Sequence, residues 1–206
     1  MTLDQLRDVS DRAIVPFVSV ATKLGLSPNA ISTLALIVAI AAGIALALAG
    51  ENTQLYFIAG LLVLFNGFLD VLDGAVARET NTTSEAGDYL DHLIDRYADV
   101  LILGGLTVGA QQYELGLLAI TGVLLTAYLG TQAQAVGLGR MYGGLLGRAD
   151  ILMLVGIVAL LAPWVTRELY GLTIVGLLLA FFAVVSHVTA LQRFVWSWKQ
   201  LRKLDE

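Results

Sequence analysis

Six long apolar stretches, at about 31–50, 55–77, 88–109, 113–137, 149–166 and 170–195, occupy most of this 206-residue chain. Each is near the roughly 20 residues that an α-helix needs to cross the hydrocarbon core of a bilayer. In lipid, backbone N–H and C=O groups must be satisfied within the segment, so such runs are helices. With 57% hydrophobic and only 14% charged residues, hardly any chain is left for a soluble domain. The third stretch is the least apolar. It counts as a span because its aspartates share one helical face and "VLILGGLTVGA" continues it. The net charge of −5 argues against a nucleic-acid partner. The absence of cysteine excludes disulfides and thiolate metal sites.

The first 27 residues differ from the rest. Asp4, Arg7, Asp8, Asp11 and Arg12 interrupt any apolar core before Pro28, so this is not the pattern of a cleavable signal. Leu3, Leu6, Val9, Ala13, Phe17 and Val20 recur at three- and four-residue steps and form one apolar stripe of an amphipathic helix. Such a helix either lies in the membrane interface or packs on the protein's own cytoplasmic face. Pro28 then breaks the helix, with Ser27 or Asn29 as the cap of the next. The expected organisation is an N-terminal interfacial helix (1–27), a six-span catalytic membrane domain (28–197) and a cytoplasmic tail (198–206).

Basic residues orient this arrangement, because Lys and Arg concentrate on the cytoplasmic side of short loops. With six spans and a cytoplasmic N-terminus, ten of the twelve fall on the inner side, only Arg167 falls outside, and Arg96 lies within the third span. Both termini and the 78–87 loop are therefore expected to be cytoplasmic. "WSWKQLRKLDE" reads as an interfacial Trp belt followed by a basic end.

Against this apolar background stands "DVLDGAVARETNTTSEAGDYLDHLID", residues 70–95. Asp70 and Asp73, three apart, share a helical face, and so do Asp91 and Asp95, four apart. Asp70 lies eight residues before Arg78 and Asp95 eight residues after Gly87, so both sit roughly 12 Å from the connecting loop. Four ionised carboxylates at matching depth would repel one another and lose hydration. Protonation or bound cations must offset this. An all-oxygen ligand set with no His or Cys favours a hard cation, Mg²⁺ or Mn²⁺. Two facing helices of carboxylates could bridge a metal pair about 4 Å apart, the arrangement that suits phosphoryl transfer. His92 points away from the Asp91/Asp95 face by helical phase. Gly74 clears a side chain where a ligand approaches backbone, Ala77 keeps the wall low, and Arg78 offers a fork for phosphate. The substrate suggested is a diphosphate with a lipid tail.

Asp70-x2-Asp73-Gly74-x2-Ala77-Arg78-x8-Gly87-x3-Asp91-x3-Asp95 resembles, at all eight identities and every spacing, the signature of the CDP-alcohol phosphotransferases (CDP-alcohol phosphatidyltransferases). The resemblance implies a six-span homodimer with its active site opening at the cytoplasmic surface. It implies transfer of a phosphatidyl-type group from a CDP-linked lipid to a polar alcohol, with release of CMP. It assigns Asp70, Asp73, Asp91 and Asp95 to two Mg²⁺ or Mn²⁺ ions and makes Asp95 the base on the acceptor hydroxyl. Asp70, Gly74, Ala77, Arg78 and Gly87 would line the CDP moiety.

The acceptor is read from the loop "GLGRMYGGLLGRADIL". Arg140 and Arg148 either hold a phosphorylated acceptor or serve as positive-inside anchors. "GGLLGRADIL" resembles the segment of members that use inositol phosphate, although Ile151 stands where a second arginine is common. Glycerol 3-phosphate or serine is the alternative acceptor. A cation transporter is the alternative of another class. Against it, the acidic residues stop in the cytoplasmic half; only Asp99 reaches deeper, where it pairs with Arg96 or backs up the metal site. Asn66 either touches the ligand shell or serves as packing. Gly122, Ala127 and Gly130 mark a candidate helix–helix contact.

Overall fold

The structure, a computed structural model, describes residues 7–139 and 144–204. It is all helical, with seven helices and no strand among the described residues. They are α1 (Arg7–Lys23), α2 (Pro28–Leu48), α3 (Leu55–Glu79), α4 (Glu85–Ala110), α5 (Tyr113–Ala135), α6 (Arg148–Leu161) and α7 (Ile174–Leu204). Four of them, α2, α3, α5 and α7, are long and apolar enough to cross a membrane. The other two apolar stretches fall short for different reasons. α4 carries six charged residues between Glu85 and Asp99, and α6 has only 14 residues, about 21 Å of helix.

Local chemistry sets the boundaries. Ser27 is the cap before Pro28, accepting the Ala30 N–H at 3.2 Å, so the choice between Ser27 and Asn29 falls to the serine. Ser84 caps α4, accepting from the Gly87 N–H at 3.1 Å, and Glu85 and Asp88 complement the positive end of the helix dipole. Between α3 and α4, Asn81 takes a left-handed conformation (φ 53°), which asparagine tolerates better than most residues.

α2 is the central partner: it packs along α4 on one side and α3 on the other, while α3 also packs on α6 and α5 on α7. The backbones of α2 and α4 come close at Gly43 and Gly105, where a Cβ on Gly105 would run into the Gly43 carbonyl. Gly60 and Gly156 play the same part between α3 and α6, with a Cβ on Gly60 only 2.8 Å from the Gly156 carbonyl oxygen. Without a hydrophobic drive between helices in lipid, such small-residue contacts let van der Waals packing hold them together. On α5, Gly122 faces Ser186 and His187 of α7, and Gly130 faces Arg193. Thr126 reinforces this contact by donating to the Ser186 carbonyl at 2.8 Å.

α1 packs on α3, and its Ile14, Val18 and Ala21 share one buried cluster with Leu69, Leu72, Ala75 and Val76 of α3 and Ile31 and Ala35 of α2. The stripe through Phe17 and Val20 is not the face that meets α3. Leu3 and Leu6 lie outside the described residues, and Phe17 and Val20 are 51% and 57% exposed. α1 is apolar on more than one face, and the compact residues fit the groove beside α3. Phe17 leans outward, edge-on to Phe68 with ring centroids 5.0 Å apart.

Candidate active site

α3 and α4 make no extended contact with each other, because α2 packs against both. Their facing sides therefore bound a gap, and the aspartates meet across it. Asp70 from α3 and Asp91 and Asp95 from α4 each present a carboxylate oxygen, all within 4.8 Å of one another. Of the four carboxylates expected to converge, these three do so. This is an all-oxygen donor set whose atoms lie close enough for one cation to draw together, and its chemistry fits a hard ion such as Mg²⁺ or Mn²⁺.

Asp73 stands beside this group. It is 6% exposed, and its Oδ2 accepts a 2.6 Å hydrogen bond from Ser32 Oγ on α2. Ser32 also lies 3.1 Å from the Pro28 carbonyl, but the shorter contact to a carboxylate is the stronger one. Asn66, one turn before Asp70, turns away from the site and donates to the Ala35 carbonyl at 2.8 Å, which makes it packing between α3 and α2.

Arg148, the first residue of α6, reaches into the acidic group. Its Nη1 lies 2.6 Å from Asp70 Oδ1 and 2.9 Å from Asp95 Oδ1. Its Nε donates to Asp99 Oδ1 at 3.2 Å. Asp99, only 3% exposed, also holds Arg96 through an Oδ2–Nη1 contact of 3.0 Å. Arg96 Nη2 is 3.6 Å from Asp95 Oδ2. Asp99 therefore pairs with Arg96, the first of its two readings, and is linked to the acidic group through Arg148. Its sequence signal is the row Asp91, Asp95, Asp99, which continues one helical face for another turn. Arg140 lies outside the described residues.

The remaining signature positions lie on α3 and at the start of α4. Arg78 is exposed and folds back over Gly74, where a Cβ would sit 3.4 Å from its Nη1. Arg78, Ala75 and Glu79 form one wall of a 390 Å³ groove, with Ile14, Val15, Val18, Ser19 and Thr22 of α1 opposite. The Ala77 carbonyl accepts from the Thr82 N–H at 3.1 Å, pinning the turn after α3. A side chain on Gly87 would press on Ser84 Oγ at 3.1 Å and approach Asn29 Oδ1 at 3.8 Å. His92 bonds within its own helix, Nδ1 to the Asp88 carbonyl at 2.7 Å, away from the acidic face. Ser32, the partner of Asp73, and Arg193, which donates to the Thr126 carbonyl at 2.8 Å beside the 144–147 loop, were not singled out from sequence. A hydroxyl in an apolar span is the only hint at Ser32.

Known proteins carry the same chain plan. The archaetidylinositol phosphate synthase of Methanothermobacter thermautotrophicus is 31% identical over 97% of this chain and 96% of its own. The phosphatidylinositol phosphate synthase of Streptomyces avermitilis is 27% identical over 94% of this chain and 81% of its own. Among solved structures, the Mycobacterium tuberculosis phosphatidylinositol phosphate synthase with CDP-DAG bound superposes with a TM-score of 0.75 at 24% identity, covering 91% of this chain and 94% of that one. The same synthase in complex with manganese and citrate also gives 0.75, with 89% and 88% covered. The family profile for CDP-alcohol phosphatidyltransferase matches residues 25–196, which include the whole acidic gap and Arg148. This chain therefore belongs to the CDP-alcohol phosphatidyltransferase family and is a phospholipid-synthesising transferase of the membrane.

Proposed function

We propose that this transferase moves the phosphatidyl-type group of a CDP-linked lipid to the hydroxyl of inositol phosphate, releasing CMP. The observation that carries the reading is the convergence of Asp70, Asp91 and Asp95 from two helices with Arg148 from a third. Asp70, Asp91 and Asp95 hold divalent cations, with Asp73 as fourth ligand and Ser32 fixing its orientation as outer partners of metal ligands do. Two Mg²⁺ or Mn²⁺ ions bound there would supply charge neutralisation on the diphosphate.

The chain's own residues do the rest. Asp95 takes the proton of the acceptor hydroxyl as its oxygen forms a bond to the lipid-side phosphorus. The bond from that phosphorus to the CMP oxygen breaks, and CMP leaves with the electron pair. Gly74, Ala77, Arg78 and Gly87 line the CDP moiety, Arg78 by its guanidinium and the others by leaving room. Arg148, with Arg140 eight residues before it in the sequence, receives the acceptor's phosphate through the planar fork that suits phosphate oxygens. Relatives that carry inositol phosphate products in their names support this choice of acceptor.

In the membrane, α4 and α6 complete six spans with the four apolar helices. The acidic face of α4 is turned inward and α6 is prolonged by the turn that follows it. Residues 28–197 form the catalytic domain, α1 lies at the interface with Phe17 and Val20 toward lipid, and 198–206 form the tail. The bias of basic residues supports a cytoplasmic site and cytoplasmic termini, and the enzyme works as a homodimer.

The test is CMP release by the purified protein with Mg²⁺, from CDP-diacylglycerol and CDP-archaeol in separate arms. Inositol phosphate, glycerol 3-phosphate, serine and free inositol are offered in turn. Release with inositol phosphate alone is expected. Release with glycerol 3-phosphate or serine instead would reassign the acceptor.

A further inference from the structure

We infer that Arg148 is a tethered competitor of the metal, and that Asp99 is the positioning residue that keeps it at the site when the metal takes its other partners. This rests on the metal reading above. The guanidinium has two kinds of attachment. Nη1 meets Asp70 and Asp95, at 2.6 and 2.9 Å, and both belong to the three-carboxylate group. Nε is hydrogen-bonded to Asp99, which stands outside that group.

A guanidinium and a divalent cation on the same oxygens repel each other across a poorly hydrated gap, so their occupancies are negatively linked. The Nε contact has no such conflict. Asp99 is buried and clamped from its other side by Arg96, so it cannot follow the carboxylates toward a metal. When Asp70 and Asp95 turn to the cation, Nη1 is released while Nε stays fixed. The freed edge of the fork then faces the place where an acceptor phosphate must come. Metal and acceptor sites are thereby ordered: the cation that readies the donor also uncovers the phosphate-binding edge.

The experiment measures Mn²⁺ affinity by the paramagnetic resonance of free Mn²⁺. It uses the full chain in lipid nanodiscs after chelator treatment, with no substrate present. Wild type, R148Q, R148K, D99N and the double variant R148Q/D99N are compared. R148Q is expected to bind Mn²⁺ at least about tenfold more tightly, since it removes a cation from the cage, while R148K, which keeps the charge but loses the Nε that Asp99 holds, should bind several-fold more weakly, as D99N does. D99N is expected to bind several-fold more weakly, because Arg148 is then held by Asp70 and Asp95 alone. That weakening should vanish in R148Q/D99N. Unchanged or weaker binding by R148Q overturns the competition, since a merely structural arginine gives that result. A D99N effect of equal size in both backgrounds is a field effect and overturns the positioning role. If R148Q does not stay folded, the cycle is run with R148K, where the D99N effect should shrink, and full persistence overturns the role. Wild type that binds no Mn²⁺ sinks the metal reading itself, a different result from wild type that binds and R148Q that fails to tighten.

Discussion

The two halves of α4 are held in place by different physics. From Val100 to Ala110 the helix is apolar and pressed backbone-to-backbone on α2, with Gly105 against Gly43 and Gly109 against the Leu46 carbonyl. From Glu85 to Asp99 it is acidic; Ile94 and Ala98 are its buried apolar residues, and Asp95 and Asp99 are turned to Arg148 of α6 and to Arg96 of the same helix. A row of like charges cannot hold a helix in position by itself, and buried ion pairs roughly break even against their desolvation. The packed half therefore sets where the acidic half stands. Placement and chemistry are divided along one helix.

That division is broken most severely by Asp95→Asn. Loss of the base should lower the rate of CMP release by about 10²–10⁴-fold. The melting temperature in detergent should hold or rise, because one negative charge leaves a crowded group. A large fall in melting temperature would mean that the acidic half supports the fold after all. Gly105→Leu is the converse. Its side chain would meet the Gly43 carbonyl, a backbone atom that cannot step aside, at an expected cost of about 3 kcal/mol or more. Thermal unfolding should show this loss with the acidic residues intact. A variant as stable as wild type would mean that the α2–α4 contact is not what fixes α4.

The same contrast explains what could be read from sequence. The apolar helices were legible because lipid allows a 20-residue apolar run only one conformation. The acidic residues were legible because charge inside such runs needs a reason, and their spacing put Asp70 and Asp95 at one depth before any coordinates. Three things were not. The separation of α3 from α4 by α2 is a matter of which small residues meet, and Gly43 and Gly105 look like any other glycines in a membrane helix. Asp73's attachment to Ser32 is a contact across 41 residues that no periodicity encodes. Which apolar face of α1 meets the protein was not legible either, because its apolar residues run more than halfway round, so the pattern fits two stripes and the shape of α3 chooses between them.

A smaller effect sharpens the picture at Ser32, which sits on the packed side yet touches the acidic one. Ser32→Ala removes a buried hydrogen bond to a carboxylate, an expected cost of about 2 kcal/mol. The Asp73 side chain would then be free to turn. If Asp73 is a metal ligand, the Mg²⁺ concentration needed for half-maximal CMP release should rise several-fold. An unchanged requirement would leave Asp73 a packing residue.

The smallest expected effect is the most discriminating for the division of labour. Ser84→Ala takes away the side-chain oxygen that satisfies the Gly87 N–H at the start of α4, for about 1 kcal/mol of local helix stability. The first turn should fray, which amide hydrogen exchange at Gly87 and Asp88 would show as faster exchange. Asp91 and Asp95 lie one and two turns further in. If their position is inherited from the packed half of α4, CMP release should stay within about twofold of wild type, because fraying at a helix end does not propagate past the first turn or so. If instead the acidic half is set from its own cap, the same small loss would loosen the carboxylates and activity would fall well beyond that.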